Sequence, residues 1–301
     1  MSTIKIGMLQ ISSQIYPEEN IKKILSYSDE IKKSGAQALF LPEYFYSYSS
    51  NSKCPPPYLV QKNDPSYYQL QELAKSLNVY LLGGSAATRD NDGGMFDNLP
   101  FLDEEDNLSI GPSLYNRIHN FTPQGEALPT YDKMHLFVCD LNGDDHQTTN
   151  DQNGQYDESK YFRAGKRPLV LNLKTSPLNV CIGFGICFDL RFPEYFRELA
   201  RQGAELLSIS SAFTVPTGKA HWHTLLRARA IENQCYVVAA AQCGRCGSSG
   251  SSDNYRYTYG HSLLVDPWGE VIIDAGDDEG LHVAEVDLSL VHAVRKKMKV
   301  F

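Results

Sequence analysis

Short apolar runs and amphipathic helical patterns alternate along most of the chain, and this alternation constrains the fold more than any other feature. The apolar run at 4–10 precedes a helical pattern at 17–35, and the run at 38–41 precedes a second helical pattern at 67–77. Strands that are apolar on both faces and are followed by helices belong to sheets covered by helices. A layered α/β fold is therefore predicted.

The later part of the chain keeps this order and adds hairpins. Further strands are predicted at 79–82, 114–121, 130–133, 180–187, 205–210, 236–242, 262–266 and 271–274, and further helices at 193–202, 221–233 and 288–298. Turn sequences at 122–125 and 267–269 indicate antiparallel hairpins, so the sheets are mixed. Because no linker divides the pattern, we expect one domain over residues 1–301, with two stacked mixed sheets and outer helices.

The net charge argues against two classes of partner. Lys and Arg together number 28 and Asp and Glu number 36, which gives a net charge of −8. This is the wrong sign for a protein that neutralises phosphates. No apolar run approaches the ~18 to 20 residues of a membrane span. Neither nucleic acid nor a membrane is expected as a partner.

Cysteine usage indicates the compartment. The chain has seven cysteines, an odd number, and several lie inside apolar strands, which favours free thiols in a reducing environment. The first residues lack the basic flank and apolar core of a leader. We therefore expect a cytoplasmic protein.

Two charged residues are candidates because each follows a short strand. Glu43 comes directly after the run at 38–41, and Lys133 closes the second strand of the predicted hairpin. Each alone would be an ordinary surface charge, since Glu and Lys are seldom buried unpaired. The carboxyl ends of strands are, however, where open α/β folds collect their reactive groups.

Cys187 ends the apolar strand at 180–187 and precedes a turn. Cys181, Gly183 and Gly185 share its face at a period of two, and the glycines are expected to clear space beside the thiol. A strand-to-helix turn of this kind exposes a nucleophile and presents backbone N–H groups to an oxyanion. A buried, inert cysteine is the alternative interpretation.

These three residues together suggest a chemistry. A thiol becomes a good nucleophile near neutral pH when a base or a cation is beside it. Glu43, with a pKa raised by apolar surroundings, could take the thiol proton, while Lys133 could stabilise the thiolate and the oxyanion. Such a set attacks a carbonyl or nitrile carbon and requires no cofactor.

Three motifs carry a resemblance to a known family. LPEYF (41–45), YDKMHLF (131–137) and GICFDLRFPE (185–194) are similar to the active-site motifs of the nitrilase superfamily, the carbon-nitrogen hydrolases. The similarity continues through 211–222 and 259–270, so it covers almost the whole chain. Within the superfamily the chain most resembles the Nit subgroup of amidases.

The resemblance implies a four-layer αββα sandwich, a Cys-Glu-Lys triad, no metal and a homodimer. In this chain Cys187 would be the nucleophile, Glu43 the base and Lys133 the stabiliser of the oxyanion, with the Phe188 backbone N–H as a second donor. Glu158, in YDESKYF, matches a further glutamate that would orient Lys133.

The substrate expected from the resemblance is an amide that bears a carboxylate. Arg191, four residues after the nucleophile, could hold that carboxylate. Phe213 and Thr214 would line the same pocket, with packing at a strand end as the alternative for both. Deaminated glutathione, cleaved through a thioester to 2-oxoglutarate and Cys-Gly, is the expected substrate. An ω-amidase acting on α-ketoglutaramate is the alternative.

Other functions stay open at this stage. Cys243 and Cys246 have the C-x-x-C spacing of zinc or redox sites, but no second pair follows. A catalytically silent scaffold is a further alternative, and the intact set of Glu43, Lys133 and Cys187 argues against it. Four histidines could serve as the base instead of Glu43: His135, His221, His223 and His261. His223 stands where the family has a glutamate, so it could also face the pocket or support the second glutamate.

Overall fold

The helices lie between and after the strands in the predicted order. The computed structural model describes residues 3–51, 54–90, 100–102, 108–110, 114–140, 155–175, 178–247 and 255–300. The α-helices are α1 (Pro17–Ser26), α2 (Ser28–Ser34), α3 (Pro65–Leu77), α4 (Pro193–Arg201), α5 (Val215–Asn233) and α6 (Ser289–Lys297). Two short 3₁₀ helices span Glu158–Lys160 and Cys187–Arg191. Among the helices described, none combines the length and the hydropathy needed to cross a bilayer.

The strands are short, and most are buried. They are β1 (Thr3–Gln10), β2 (Ala38–Phe40), β3 (Val60–Gln61), β4 (Tyr80–Leu82), β5 (Ser85–Arg89), β6 (Pro100–Leu102), β7 (Leu108–Ile110), β8 (Leu114–Ile118), β9 (Tyr131–Asp132), β10 (Val138–Asp140), β11 (Gln155–Asp157), β12 (Val170–Thr175), β13 (Leu178–Ile186), β14 (Leu206–Ser210), β15 (Tyr236–Ala239), β16 (Cys243–Cys246), β17 (Arg256–Tyr259), β18 (Leu263–Val265), β19 (Val271–Asp274) and β20 (Gly280–Asp287).

The first sheet has the strand order β20-β1-β2-β4. Strands β1, β2 and β4 are parallel, and β20 runs antiparallel to β1 along its whole length. A neighbouring sheet of order β3-β5-β8-β9 continues it through a bridge between Leu81 and Phe121. In this second part, Arg117 of β8 lies opposite Asp132 of β9, so the predicted antiparallel hairpin is present.

The other large sheet has the order β12-β13-β14-β15-β18-β19. Its central strands β13, β14 and β15 are parallel, whereas β12, β18 and β19 pair antiparallel with their neighbours. The hairpin of β18 and β19 carries a bulge between Leu264 and Val265. Both sheets are therefore mixed, as the sequence predicts.

The two faces of β1 pack against different layers. Ile6 and Met8 share a buried cluster with Phe184 of the other sheet, while Leu9 belongs to a second cluster that includes Leu73 of α3. Helices α4 and α5 cover the far side of the six-stranded sheet, where Leu199 and Leu226 join the first cluster. The layers are thus α1–α3, sheet, sheet and α4–α5, an αββα sandwich.

Several helices and strands differ from those predicted. The helical pattern at 17–35 forms two helices, because Tyr27 leaves the helical conformation between α1 and α2. Helix α5 begins at Val215 rather than at 221, since Pro216 fits the first helical turn. Strand β20 was not predicted because its side chains are half-exposed and lack clear alternation.

The expected role of two strand glycines is wrong. A β-carbon at Gly185 would lie 2.9 Å from the Phe196 ring, and one at Gly183 would lie 3.0 Å from Leu199 Cβ. Both neighbours belong to α4. The glycines therefore let α4 approach β13 closely, rather than clearing space beside the Cys187 thiol.

Candidate active site

Cys187 follows β13 and stands in a backbone conformation that side chains disfavour. Its φ is +46°, in the left-handed region, and the 3₁₀ helix Cys187–Arg191 begins at this residue. A non-glycine residue in that region is held there by its surroundings. The predicted sharp turn from strand to helix is therefore present, with Cys187 at its bend.

A buried carboxylate fixes this turn. Asp189 Oδ2 accepts hydrogen bonds from the Ile186 N–H at 2.8 Å and from the Tyr131 hydroxyl at 2.7 Å, and Oδ1 accepts from the His135 N–H at 2.9 Å. A buried carboxylate without such partners would be costly, so these contacts hold the turn in one conformation. Asp189 was not singled out in the sequence, although its place two residues after Cys187 is a usable signal.

Glu43, Lys133 and Glu158 form one buried ion-pair network. Lys133 Nζ lies 3.0 Å from Glu43 Oε1 and 2.8 Å from Glu158 Oε2. The side chains of Lys133 and Glu43 are 1% and 2% exposed, and that of Glu158 is 17% exposed. The surface interpretation of these charges is therefore wrong, because each is paired inside the molecule.

Further groups position the two carboxylates. Asn116 Nδ2 donates to Glu43 Oε1 at 2.8 Å. The Tyr44 hydroxyl donates to Glu158 Oε1 at 3.0 Å, and the Phe137 N–H donates to Oε2 at 2.8 Å. The sequence analysis identified neither Asn116 nor Tyr44. Tyr44 could have been found, because it directly follows Glu43 in the motif LPEYF, whereas nothing in the sequence near Asn116 indicates its role.

Burial and neighbouring charges raise the pKa values of Cys187, Glu43 and Lys133. Burial raises the pKa of Cys187 well above its usual value, Glu43 raises it further, and Lys133 with the Ala212 N–H acts in the opposite direction. Burial also raises the pKa of Glu43, against the effect of Lys133. Burial alone would lower the pKa of Lys133, but Glu158 and Glu43 raise it above its usual value. The site thus combines a thiol, a carboxylate with a raised pKa and an ammonium that two carboxylates stabilise.

These residues share one cavity of about 780 Å³, including its open side. Its lining contains all eight residues that the sequence predicts for the site: Glu43, Lys133, Glu158, Cys187, Phe188, Arg191, Phe213 and Thr214. The Arg191 guanidinium carbon lies 5.8 Å from the Phe188 ring centroid and 5.7 Å from that of Phe213. The cavity offers a nucleophile, a base and cations to a small polar molecule.

The chain matches a known protein family over nearly its whole length. The sequence profile described as carbon-nitrogen hydrolase matches residues 5–296. The chain belongs to the carbon-nitrogen hydrolase family. It is therefore a hydrolase that acts on carbon–nitrogen bonds, and small-molecule amides are its class of substrate.

The relatives with named activities include amidases of two kinds. The deaminated glutathione amidase of Mus musculus is 34% identical over 296 residues, which covers 98% of this chain and 81% of that protein. The omega-amidase NIT2 of Homo sapiens is 32% identical over 303 residues, covering 100% of this chain and 95% of the relative. Among solved structures, Nit3 of Saccharomyces cerevisiae, of the nitrilase superfamily, superposes with a TM-score of 0.73 at 26% identity, over 99% of this chain and 95% of its own.

The four candidate histidines of this carbon-nitrogen hydrolase have partners other than Cys187. His135 Nδ1 lies 2.7 Å from Asp189, and His221 Nδ1 lies 3.4 Å from a nitrogen of Arg191. No histidine of the described segments lines the cavity. The alternative in which a histidine is the base for Cys187 is therefore wrong.

His223 does not face the cavity either. Its Nε2 lies 3.0 Å from Asp274 Oδ2, and His261 Nδ1 lies 2.8 Å from Asp274 Oδ1. Of the residues that the structure describes, these three form the one group whose ligand atoms are close enough to hold a metal ion. The carboxylate already satisfies both imidazoles, and the group lies outside the lining of the cavity.

The C-x-x-C segment of the hydrolase forms β16, in which both cysteine side chains are buried. Cys243 and Cys246 are both free thiols, and burial raises the pKa of each, to about 11 for Cys246. A thiol binds a metal as the thiolate, which burial disfavours here, and neither cysteine lines the cavity that contains Cys187. Within the described ranges these two cysteines also belong to no group of potential metal ligands. The geometry thus gives no support to zinc or redox chemistry at this segment.

Proposed function

We propose that this hydrolase cleaves the amide bond of deaminated glutathione and releases 2-oxoglutarate and Cys-Gly through a thioester on Cys187. The observation that carries the proposal is the buried contact of Lys133 with Glu43 and Glu158 beside the Cys187 thiol, in a cavity that also contains Arg191. The 34% identity to a deaminated glutathione amidase supports the choice of substrate.

The first half of the proposed reaction forms the thioester. Glu43 takes the proton of Cys187 as Sγ attacks the amide carbon. The negative charge that develops on the carbonyl oxygen is stabilised by Lys133 Nζ and the Phe188 backbone N–H. The C–N bond then breaks, and Glu43 returns the proton to the departing amine of Cys-Gly.

The second half releases the acid. A water molecule attacks the thioester carbon while Glu43 accepts one of its protons, and the C–S bond breaks. The thiolate of Cys187 recovers that proton, which restores the resting site. Glu158, 2.8 Å from Lys133, acts as a positioning residue that keeps the ammonium charged and in place throughout.

Binding of the acyl part is assigned to the other lining residues. Arg191 would pair with the carboxylate of the 2-oxo acid, while Phe213 and Thr214 bound the chain that joins it to the amide. The Thr214 hydroxyl lies 2.7 Å from that of Thr217, which also lines the cavity. Substitution of Arg191 by Ala is expected to raise KM and to leave the protein folded.

Product analysis tests the function directly. Purified protein is incubated with deaminated glutathione or with α-ketoglutaramate, products are identified by mass spectrometry, and kcat/KM is compared. We expect 2-oxoglutarate and Cys-Gly, with slower turnover of α-ketoglutaramate. A preference of tenfold or more for α-ketoglutaramate would instead make the protein an ω-amidase. Equal turnover of amides without a carboxylate would remove Arg191 from the mechanism.

The proposed reaction requires no metal or cofactor, because a thiol, a carboxylate and an ammonium supply all its steps. Prolonged dialysis against EDTA is therefore expected to leave kcat unchanged. Loss of activity on chelation, restored by zinc, would contradict this part of the proposal. A zinc enzyme assayed in parallel verifies that the chelation was effective.

We further propose a cytoplasmic homodimer. All seven cysteines are free thiols, which suits a reducing compartment. Large apolar side chains are exposed on α5 and on the β18–β19 turn, where Ile231 is 43% and Trp268 59% exposed, and such side chains favour a subunit contact. Light scattering after gel filtration is expected to give twice the 33.7 kDa of the chain.

A further inference from the structure

Two histidines and two aspartates from separate segments meet outside the catalytic cavity. His223 belongs to α5, His261 lies between β17 and β18, and Asp274 ends β19. His223 Nε2 lies 3.0 Å from one carboxylate oxygen of Asp274, and His261 Nδ1 lies 2.8 Å from the other. On its far side, His261 Nε2 lies 3.3 Å from Asp277 Oδ1. The mechanism proposed above uses none of these groups.

Contacts from outside the group hold its side chains in position. Trp222 is buried, and its indole N–H donates to the His261 carbonyl oxygen at 2.7 Å, which fixes α5 beside His261. The Tyr259 ring is stacked on the His261 ring, with 4.5 Å between their centroids. The Gly276 N–H donates to Asp274 Oδ1 at 3.0 Å. The group is therefore already assembled in the folded chain.

The donor atoms are those that a divalent transition-metal ion prefers. Two imidazole nitrogens and a carboxylate oxygen make a three-ligand set that suits Zn²⁺, with water as the fourth ligand. The ligand atoms of His223, His261 and Asp274 all lie within 4.8 Å of one another. Ligand atoms around tetrahedral zinc are about 3.3 Å apart, so the two contacts with Asp274 need to open by only about half an ångström.

Asp277 has the place of an outer partner in such a site. Histidines that bind a metal through one nitrogen commonly donate the other N–H to a carboxylate, which orients the ring and makes it more basic. A proton on His261 Nε2, facing Asp277, leaves the lone pair of Nδ1 for the ion. The side chains of His223, His261 and Asp274 are 22–37% exposed, so an ion can reach them from solvent.

We infer that His223, His261 and Asp274 bind a divalent transition-metal ion, with Zn²⁺ as the best match, and that the ion links α5 to the hairpin of β18 and β19. Coordination bonds then replace the hydrogen bonds between the carboxylate and the two imidazoles. Because the group lies outside the cavity lining, the ion takes no part in hydrolysis. It stabilises the fold, since ligands 51 residues apart in the sequence come together only in the folded chain.

Calorimetric titration tests the site. Protein is dialysed against EDTA, freed of the chelator and titrated with zinc chloride at slightly alkaline pH, where the ligands are deprotonated. Wild type is compared with His223→Gln and with Asp274→Asn. His292→Gln is the matched control: His292 lies 3.1 Å from Glu205, and among the described residues this pair belongs to no larger group of potential metal ligands. Thermal unfolding without zinc verifies that every variant is folded.

We expect wild type and His292→Gln to bind one zinc ion per chain at this site. His223→Gln and Asp274→Asn should each bind zinc about 100-fold more weakly or worse, since the loss of an outer partner alone costs about 10- to 100-fold. Zinc should raise the unfolding temperature of wild type by a few degrees and leave that of these two variants unchanged. Mg²⁺, which prefers oxygen ligands, should have no effect on any of the proteins.

Zinc also binds thiolates, so the titration is repeated with Cys187→Ala, which should bind the ion as wild type does. Three results would overturn the inference: wild type that binds no zinc, undiminished binding by His223→Gln or Asp274→Asn, and loss of binding in Cys187→Ala, which would place the ion at the catalytic cysteine. The first two leave the proposed function untouched, because product analysis tests that function separately.

Discussion

At the scale of single residues, the site works by combining groups that would be unfavourable alone. The Lys133 ammonium would be costly to bury, and so would the Glu43 carboxylate, yet their contact at 3.0 Å and the second carboxylate of Glu158 compensate each charge. Removing Lys133 therefore leaves two carboxylates without their cation, in addition to removing a catalytic group.

Substitutions in this network should abolish activity. Cys187→Ala is expected to eliminate hydrolysis, and Glu43→Gln and Lys133→Ala should each lower kcat by about 10³-fold or more, because cooperating groups fail together. Acid quench of wild type during turnover should trap a thioester on Cys187, detected by mass spectrometry.

The control for these variants is another Lys–Glu pair of the same chain. Lys75 and Glu72 are 2.5 Å apart on the exposed surface of α3. Lys75→Ala and Glu72→Gln should leave kcat unchanged. The assignment of Cys187 would be wrong if Cys187→Ala kept more than a few per cent of the activity.

The left-handed backbone of Cys187 has a measurable cost. Because glycine adopts φ near +46° without strain, Cys187→Gly is expected to be about 1 kcal/mol more stable to unfolding than Cys187→Ala. Urea denaturation of both variants measures the difference. At Ser210, buried inside β14, the order should reverse, with Ala more stable than Gly. An Ala variant as stable as the Gly variant at 187 would indicate an unstrained turn.

At the scale of elements, α5 is positioned by one close contact with β17. Gly218 lies in the first turns of α5, and a β-carbon there would lie 2.1 Å from Tyr259 Cγ. Thr217, one residue earlier, lines the catalytic cavity. The absence of a side chain at Gly218 therefore sets how closely the start of α5 approaches the strand beside the site.

Gly218→Ala should destabilise the protein although alanine is the better helix former. Replacing a helical glycine by alanine ordinarily stabilises by about 1 kcal/mol. Here the clash should reverse the sign and cost about 2 kcal/mol or more in the free energy of unfolding. Chemical denaturation measures this, and Lys219→Ala on the exposed neighbouring position should change it by less than about 0.5 kcal/mol. A stabilised Gly218→Ala would show that the contact relaxes without cost.

Elements with strong local signals were predictable from the sequence, and those defined by distant partners were not. Strand β13 is a run of mostly apolar residues that ends in a recognisable turn, so both the strand and Cys187 could be found. Strand β20 is defined by its pairing with β1, whose paired residues lie 270 or more positions away in the sequence, and its half-exposed side chains give no period of two.

The same distinction applies inside the site. Glu43, Lys133 and Glu158 were found through motifs, whereas the hydrogen bond from Asn116 to Glu43 joins two segments 73 residues apart. Such a contact depends on how β8 packs, and no local pattern encodes it.

At the scale of the whole molecule, one buried histidine links stability to pH. His119 is buried, its Nε2 lies 2.8 Å from Thr88 Oγ1, and burial lowers its pKa from 6.5 to about 3. Between these two values the unfolded chain binds a proton that the folded chain does not. Stability contributed by neutral His119 is therefore complete above pH 6.5 and decreases as the pH falls towards 3.

From this difference we expect His119 to reduce the free energy of unfolding by about 2 kcal/mol between pH 7 and pH 5. Urea titrations at pH 7 and pH 5 measure the decrease in the free energy of unfolding. The decrease in wild type should exceed that in His119→Gln by about 2 kcal/mol. The exposed His292→Gln is the control and should keep the full decrease. Equal pH dependence in wild type and His119→Gln would mean that the imidazole protonates inside the fold.

The catalytic network is assembled from chain segments that are far apart in sequence. Glu43 follows β2 in one sheet, Cys187 follows β13 in the other large sheet, and Lys133 follows β9 at the end of the sheet β3-β5-β8-β9. A nascent or partly unfolded chain therefore carries seven cysteines of ordinary reactivity and no activated one. The Cys187 thiol becomes activated only when the sheets pack in the native fold. Other molecules of the cell can therefore react with this nucleophile only by entering the cavity that selects its substrate.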